Sequence, residues 1–260
     1  MVGNLDASLN IVFLTGTAGS GKSVMTASLL SWYREKSQNA ITVNLDPGVL
    51  GLPYEPDVDV RTMVDLNEVM TTYSLGPNGA LVLASDLIAT KLADIQEEID
   101  SFDPQVVLVD TPGQIELFAF RESGPYLARE LKADSKAVLF LIDSLVASSP
   151  TSFLSLLLLS TSVQLRMELP HLQILSKTDL SKTAQETMKW SRDPSLFEDN
   201  LSKTKSGDSY TFYSQIFRAV KNSSVSSSLY PTSGYTRDGF ISLVGELSRI
   251  MRGGEEFEDT

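Results

Sequence analysis

The sequence predicts a three-layer α/β/α fold: a mostly parallel sheet wrapped by helices, with helical insertions. Three observations predict it. Apolar runs of strand length alternate with longer amphipathic stretches along the chain, the pattern of a parallel sheet with crossover helices. Several of those runs end on a polar residue, and open α/β sheets bind ligands beyond the carboxyl ends of their strands. The length, 260 residues with 42% hydrophobic and 21% charged side chains, suits a folded globule with a substantial core and not a disordered chain.

The strand candidates are Ile11–Thr15, Ala40–Leu45, Val106–Asp110, Ala137–Asp143 and Leu172–Ser176, with a short sixth at Tyr230–Thr232. A helix over Val24–Arg34 follows the first strand. Between the second and third strands the chain is too long for one crossover. It is read as helix Arg61–Tyr73, a break at Leu75–Gly79, and helix Leu81–Phe102. Phe153–Val163 is too short to span a bilayer and reads as a buried helix. The stretch 181–229 is rich in Ser, Lys and Thr and reads as a surface excursion. It has helical patches at Ala184–Trp190 and Tyr210–Lys221 and a mobile piece at Ser223–Ser228. A last helix covers Gly239–Arg252. No repeat or compositional boundary divides the chain, so a single domain over 1–260 is expected, with insertions near 57–102 and 181–229 and an acidic tail at 253–260.

Gly16-Thr17-Ala18-Gly19-Ser20-Gly21-Lys22-Ser23 fits G-x4-G-K-[ST] and lies between a strand and a helix that begins near Val24, the context that gives this motif its meaning. Glycines let the backbone wrap phosphates with its N–H groups pointing inward, and the helix N-terminus adds a favourable dipole. Lys22 supplies a charge for the terminal phosphates and the Ser23 hydroxyl is a ligand for Mg²⁺. The fold class is therefore that of a P-loop NTPase. An ATPase subclass that carries a lysine directly after the first glycine is disfavoured, because Thr17 stands there.

Val106–Val109 end in Asp110-Thr111-Pro112-Gly113-Gln114. A carboxylate at the tip of a buried strand is the second anchor for magnesium, Gly113 can bring its N–H to a terminal phosphate, and Gln114 is placed to orient a water for in-line attack. Asp46, in Asn44-Leu45-Asp46-Pro47-Gly48, suits either the magnesium and water shell or an Asx turn before proline.

Ser176-Lys177-Thr178-Asp179 resembles the guanine-reading N-K-x-D motif with Ser in place of Asn. Asp179 can accept hydrogen bonds from the guanine ring N–H and amine, a donor pair that adenine lacks. Lys177 would lay its stem along the base. Loss of the Asn predicts weaker bracing between this loop and the phosphate loop. Ser233 and Gly234, after the sixth strand, stand where a backbone N–H closes over the guanine carbonyl.

Composition removes other chemistries. There are no cysteines, which excludes disulfides, thiolate metal sites and cysteine nucleophiles. The single histidine, His171, beside Pro170, reads as structural and leaves a Ser-His-Asp hydrolase without support. The net charge of −12 argues against a broad basic face for nucleic acid. Nothing resembles a signal peptide or a membrane span, so a cytoplasmic protein is expected. The series Leu154, Leu157, Leu158, Leu165 reads as core or subunit interface.

Gly16–Ser23, Asn44–Pro47, Gly76-Pro77-Asn78, Asp110–Glu116 and Ser176–Leu180, in this order over almost the whole chain, resemble the GPN-loop GTPases, and the short ending resembles the compact archaeal members. The resemblance implies a homodimer in which Asn78 of one subunit reaches the terminal phosphate region of the other. Gln114 and Asp110 would then position the water, with Asp46 in the magnesium network. It implies GTP hydrolysis to GDP without an external activator, so Arg61, Arg121 and Arg129 need not be catalytic. A role in assembly or biogenesis of a complex such as RNA polymerase, with protein clients, is implied as well. Asp57–Thr62 matches a family stretch only loosely and receives no catalytic role. Two alternatives are kept. One is a P-loop kinase with an acceptor other than water, for which the 181–229 excursion offers only Arg192 and Arg218. The other is a GTP-dependent scaffold that does not turn over.

Overall fold

A computed structural model describes residues 8–222 and 228–251. Among these residues seven strands form one sheet, ordered β3-β2-β4-β1-β5-β6-β7. They are β1 Asn10–Gly16, β2 Ala40–Asn44, β3 Val58–Asp59, β4 Val106–Asp110, β5 Ser135–Asp143, β6 His171–Ser176 and β7 Leu229–Pro231. Every pairing is parallel. The central strands are buried along almost their whole length, as a sheet covered on both faces requires.

Alternation along β1 splits the core. Val12 and Leu14 face helices α1 (Lys22–Glu35) and α11 (Phe240–Met251), through Met25, Leu29, Phe240 and Leu243. Ile11 and Phe13 face the other helices, including α3 (Pro77–Thr90), α4 (Leu92–Ser101) and α7 (Pro150–Met167). The result is the expected three-layer α/β/α arrangement.

The register sets the site. Asn44 pairs with Asp110, Leu14 with Asp110, Gly16 with Leu141, and Asp143 with Ser176. The carboxyl ends of five strands therefore line up along one rim. The strand order reverses beside β1, the topological switch point where such sheets bind ligands.

Several expected elements differ in detail. The Arg61–Tyr73 helix is a 3₁₀ turn at Val60–Thr62, a short gap, and α2 (Leu66–Thr72). The cause is Asp65, whose carboxylate caps the N–H groups of Asn67 and Glu68 and restarts the helix. The Leu81–Phe102 helix is two, α3 and α4, parted at Lys91. The break at Leu75–Gly79 is shorter than expected: Pro77 takes the first position of α3 with Gly76 as its N-cap, so Asn78 stands within the first turn of a helix. The short helices α5 (Ile115–Phe118) and α6 (Ser123–Glu130), and the two-residue β3, are additions.

The 181–229 excursion is a packed helical unit rather than a loose surface loop. It holds α8 (Ala184–Arg192), α9 (Pro194–Ser202) and α10 (Gly207–Lys221). Phe197 stacks on Phe217 with ring centroids 3.8 Å apart, and Phe153 of α7 packs against Trp190 and Phe217. α9 was not expected, although Asp193 caps it and Pro194 opens it. Most of the piece expected to be mobile, the last residue of the C-terminal helix (Arg252) and the acidic tail lie outside the described residues.

His171 is buried at the start of β6, its Nε2 2.9 Å from the Ser160 hydroxyl, and that oxygen accepts from the Gln173 amide. Burial pushes its pKa down to about 4, as expected of a neutral core histidine. The leucine series of α7 divides: Leu154 and Leu157 are core, whereas Leu158 and Leu165 are exposed.

Candidate nucleotide site

β1 runs into a loop that only glycine permits at its turning points. Gly16 has φ +147°, and a Cβ there would stand 2.8 Å from the Leu141 carbonyl oxygen. Gly21, at φ +96°, is the N-cap of α1 and lets the chain swing into the helix. Thr17, Ala18 and Gly19 lie at the surface, Ser20 is buried, and Val24 borders Gly234, whose Cβ position is 3.0 Å from Val24 Cγ1.

Lys22 is buried beneath this loop. Its Nζ donates to the carbonyls of Gly16 (3.1 Å), Thr17 (3.2 Å) and Gly113 (3.5 Å). Burial lowers its pKa, against the raising influence of the Asp110 and Asp46 carboxylates. One lysine thus joins the phosphate loop to the segment after β4.

Asp110, at the tip of β4, is 2% exposed. Burial raises its pKa to about 6, opposed by Ser23, Tyr54 and the Lys22 charge. Its Oδ2 accepts from the Tyr54 hydroxyl at 3.1 Å, whereas its Oδ1 is buried with no hydrogen-bond partner among the described residues. A buried carboxylate oxygen without a partner is expensive unless a cation completes it. That orphan, with the Ser23 hydroxyl nearby, fits a hard divalent cation with oxygen ligands. Asp46 differs, because each of its oxygens is engaged: Oδ1 accepts from Gly48 N–H and Oδ2 from Gly113 N–H, both at 2.9 Å. The Asx turn foreseen for Asp46 forms through the Gly48 bond, and the Gly113 bond ties the same carboxylate to the segment after β4.

Gln114 is exposed at the N-cap of α5, while Thr111 anchors the turn through a 2.7 Å bond to the Leu14 carbonyl. Gly76, Pro77 and Asn78 are all exposed. One turn along α3, Leu81 lies against Gly48, with 2.5 Å between its Cδ2 and the Cβ position. Asp86 of α3 forms a two-bond ion pair with Arg121, just beyond α5. The GPN helix is thereby packed on the Asp46 loop and tied to the segment that follows Gln114.

The expected loss of bracing at Ser176 does not occur. Its hydroxyl lies 2.8 Å from the Ser20 carbonyl, so the shorter side chain reaches the phosphate loop directly. Lys177, at φ +57°, adds Nζ bonds to the Gly19 carbonyl and to Asp143 (2.7 Å). Asp179 is exposed, and its carboxylate makes no hydrogen bond among the described residues. Ser233 is fully buried, its N–H donating to the Asp238 carbonyl and its hydroxyl accepting from Thr236. Gly234 is held from the other side, where its carbonyl accepts from Ser28 at 2.6 Å.

Residues that the sequence left without a role complete the frame. Arg61 grips Asp59 through two nitrogens (3.0 and 2.6 Å) and donates to the Val49 carbonyl at 2.9 Å. Asn44 donates to Asp59 (2.9 Å) and to the Asp46 carbonyl (3.2 Å). The loosely matching stretch 57–62 is thus the brace of the loop that carries Asp46 and Tyr54. Arg61, Arg121 and Arg129 each pair with a carboxylate, in line with a structural use. Arg218 is likewise paired, with Glu198.

Fold and site together define a P-loop nucleotide-binding protein. The family model described as "Conserved hypothetical ATP binding protein" matches residues 14–252. GPN-loop GTPase 1 of Saccharomyces cerevisiae is 34% identical over 196 residues, which is 74% of this chain and 50% of that protein. GPN-loop GTPase QQT2 of Arabidopsis thaliana is 31% identical over 256 residues, 95% of this chain and 65% of that protein. The crystal structure of a GTPase from Pyrococcus abyssi, in apo form, aligns with a TM-score of 0.80 and 30% identity, covering 94% of this chain and 98% of that one. This chain belongs to the GPN-loop GTPase family. Its match spans between half and two thirds of the length of those two curated relatives.

Proposed function

We propose that this chain binds GTP and hydrolyses it to GDP and phosphate as a homodimer, with magnesium at Ser23 and Asp110. The observation that carries the proposal is the direct bonding of two loops. Ser176 to Ser20 and Lys177 to Gly19 hold an unpaired carboxylate, Asp179, at a fixed place relative to the phosphate loop. The family model's description names ATP, but an acceptor-only carboxylate suits the N–H pair of guanine and leaves adenine without a match.

In this proposal the N–H groups of Thr17 to Val24 cradle the phosphates, and Lys22 turns its charge toward the terminal ones. Ser23 and Asp110 would hold the magnesium, with Asp46 in its outer shell. Bound there, magnesium neutralises charge on the β- and γ-phosphate oxygens. Asp46, bonded to the Gly113 N–H, and Gln114, the next residue, would orient the attacking water. Asn78 of the second subunit donates its amide to the terminal phosphate. As a neutral donor it stabilises developing charge less than an arginine, so turnover is slow. Gly234 carries the backbone N–H that closes over the base, because that of Ser233 is already bonded. A conformational switch in the assembly of a protein complex such as RNA polymerase, in the cytoplasm, is the role that goes with this chemistry. Among the described residues no helix is long and apolar enough to cross a membrane.

The test is phosphate release from GTP and from ATP, per mole of protein, over a wide range of protein concentration. Specific activity with GTP should climb as dimers form and then level off, with ATP inert. Preference for ATP overturns the guanine assignment, and absence of release at every concentration overturns hydrolysis.

A further inference from the structure

Asp110 sits at the centre of the rim, and its two oxygens have different surroundings. Oδ1 is buried without a hydrogen-bond partner among the described residues, and Oδ2 accepts from the Tyr54 hydroxyl at 3.1 Å. A carboxylate with one oxygen fixed cannot rotate freely about its last bond, so its other oxygen is held in one direction to meet a cation. Metal sites commonly depend on such outer partners to orient a ligand.

Tyr54 is well suited to this task. Its ring is half-buried in the loop between β2 and β3, far in sequence from the residue it bonds. A phenol is rigid, with two side-chain torsions, and toward a carboxylate it acts as donor only. The loop itself is clamped at both ends. Asp59 takes the Arg61 guanidinium, Arg61 reaches the Val49 carbonyl, and Asn44 ties Asp59 to the Asp46 backbone.

We propose that Tyr54 is a positioning residue for the cation site, its hydroxyl pinning Asp110 Oδ2 so that Oδ1 alone faces the metal. The proposal rests on the magnesium assignment above. Asp59 and Arg61 act one step further out, by holding the loop that presents Tyr54.

The experiment uses the full chain and a fluorescent GDP, titrated with Mg²⁺ and measured separately in EDTA. Wild type should hold GDP more tightly as Mg²⁺ is added; no response to Mg²⁺ in wild type overturns the magnesium assignment and the proposal with it. Tyr54→Phe keeps the ring and should melt within a few degrees of wild type. Its GDP affinity in EDTA should stay the same, while the Mg²⁺ concentration at half-effect rises about tenfold, the usual scale for an outer partner of a metal ligand. An unchanged Mg²⁺ midpoint, or an equal loss of affinity in EDTA, overturns a positioning role. Asp59→Asn loosens the loop while keeping the Tyr54 side chain itself unchanged. It should raise the Mg²⁺ midpoint by a smaller factor, and no shift in that variant also counts against the proposal.

Discussion

Asp179 is one carboxylate on an exposed turn, and at the residue scale the proposed reading has it select the base. Two hydrogen bonds to a charged acceptor contribute about 1.5–3 kcal/mol each. Asp179→Asn should therefore weaken GTP binding by about a hundredfold or more. An amide presents one acceptor and one donor, which matches xanthine, where a carbonyl replaces the amine of guanine. Xanthosine triphosphate should bind the variant better than wild type. Competition against a fluorescent nucleotide checks this, and equal loss for all nucleotides would sink the base-reading role. Residues of this kind were legible because their partners are close in sequence: the eight-residue phosphate motif, the Asp110 turn and Ser176–Asp179 are each a local pattern. Tyr54, Asp59, Arg61 and Asn44 were not legible as a set. They meet only once β2, β3 and β4 lie side by side, and no spacing in the chain encodes that meeting.

At the scale of elements, periodicity located the long strands and helices and misjudged the joints. Asp65 restarts a helix inside a stretch read as continuous, and Pro77 starts one inside a stretch read as a break. In both cases a cap outweighed the hydrophobic pattern. The 181–229 segment looked like surface because its polar residues outnumber its apolar ones. Yet Phe197 and Phe217 are fully buried against each other, and with Trp190 and Phe153 they attach α8, α9 and α10 to α7. Phe217→Ala removes a fully buried ring and should destabilise the protein by about 3–5 kcal/mol. Denaturant unfolding measures it. A loss below about 0.5 kcal/mol, the range of an exposed site, would show that the three helices are only loosely attached.

For the whole molecule, burial of His171 couples stability to pH. Its folded pKa of about 4 lies below its ordinary 6.5, so between those values the unfolded chain binds more protons. Stability is then fully present above pH 6.5 and falls as pH drops toward 4, by about 3 kcal/mol from this group at 1.36 kcal/mol per pKa unit. Asp110 pulls the other way, since its folded pKa of about 6 lies above its ordinary 3.8. The histidine contribution is isolated by comparing wild type with His171→Gln, whose unfolding free energy should decline less over that interval. Equal slopes would mean that the ring protonates in the folded state as easily as in solution.

The Ser176–Ser20 and Lys177–Gly19 bonds make the phosphate and base loops a single rigid surface. On the proposed reading, a nucleotide gripped by its phosphates would meet Asp179 as an intramolecular partner, at an effective concentration set by that rigidity and not by chain wandering. The site is then a chelator of two ends. Tripolyphosphate alone and guanosine alone should each bind weakly, while their covalent union gains the ordering that each fragment must supply for itself.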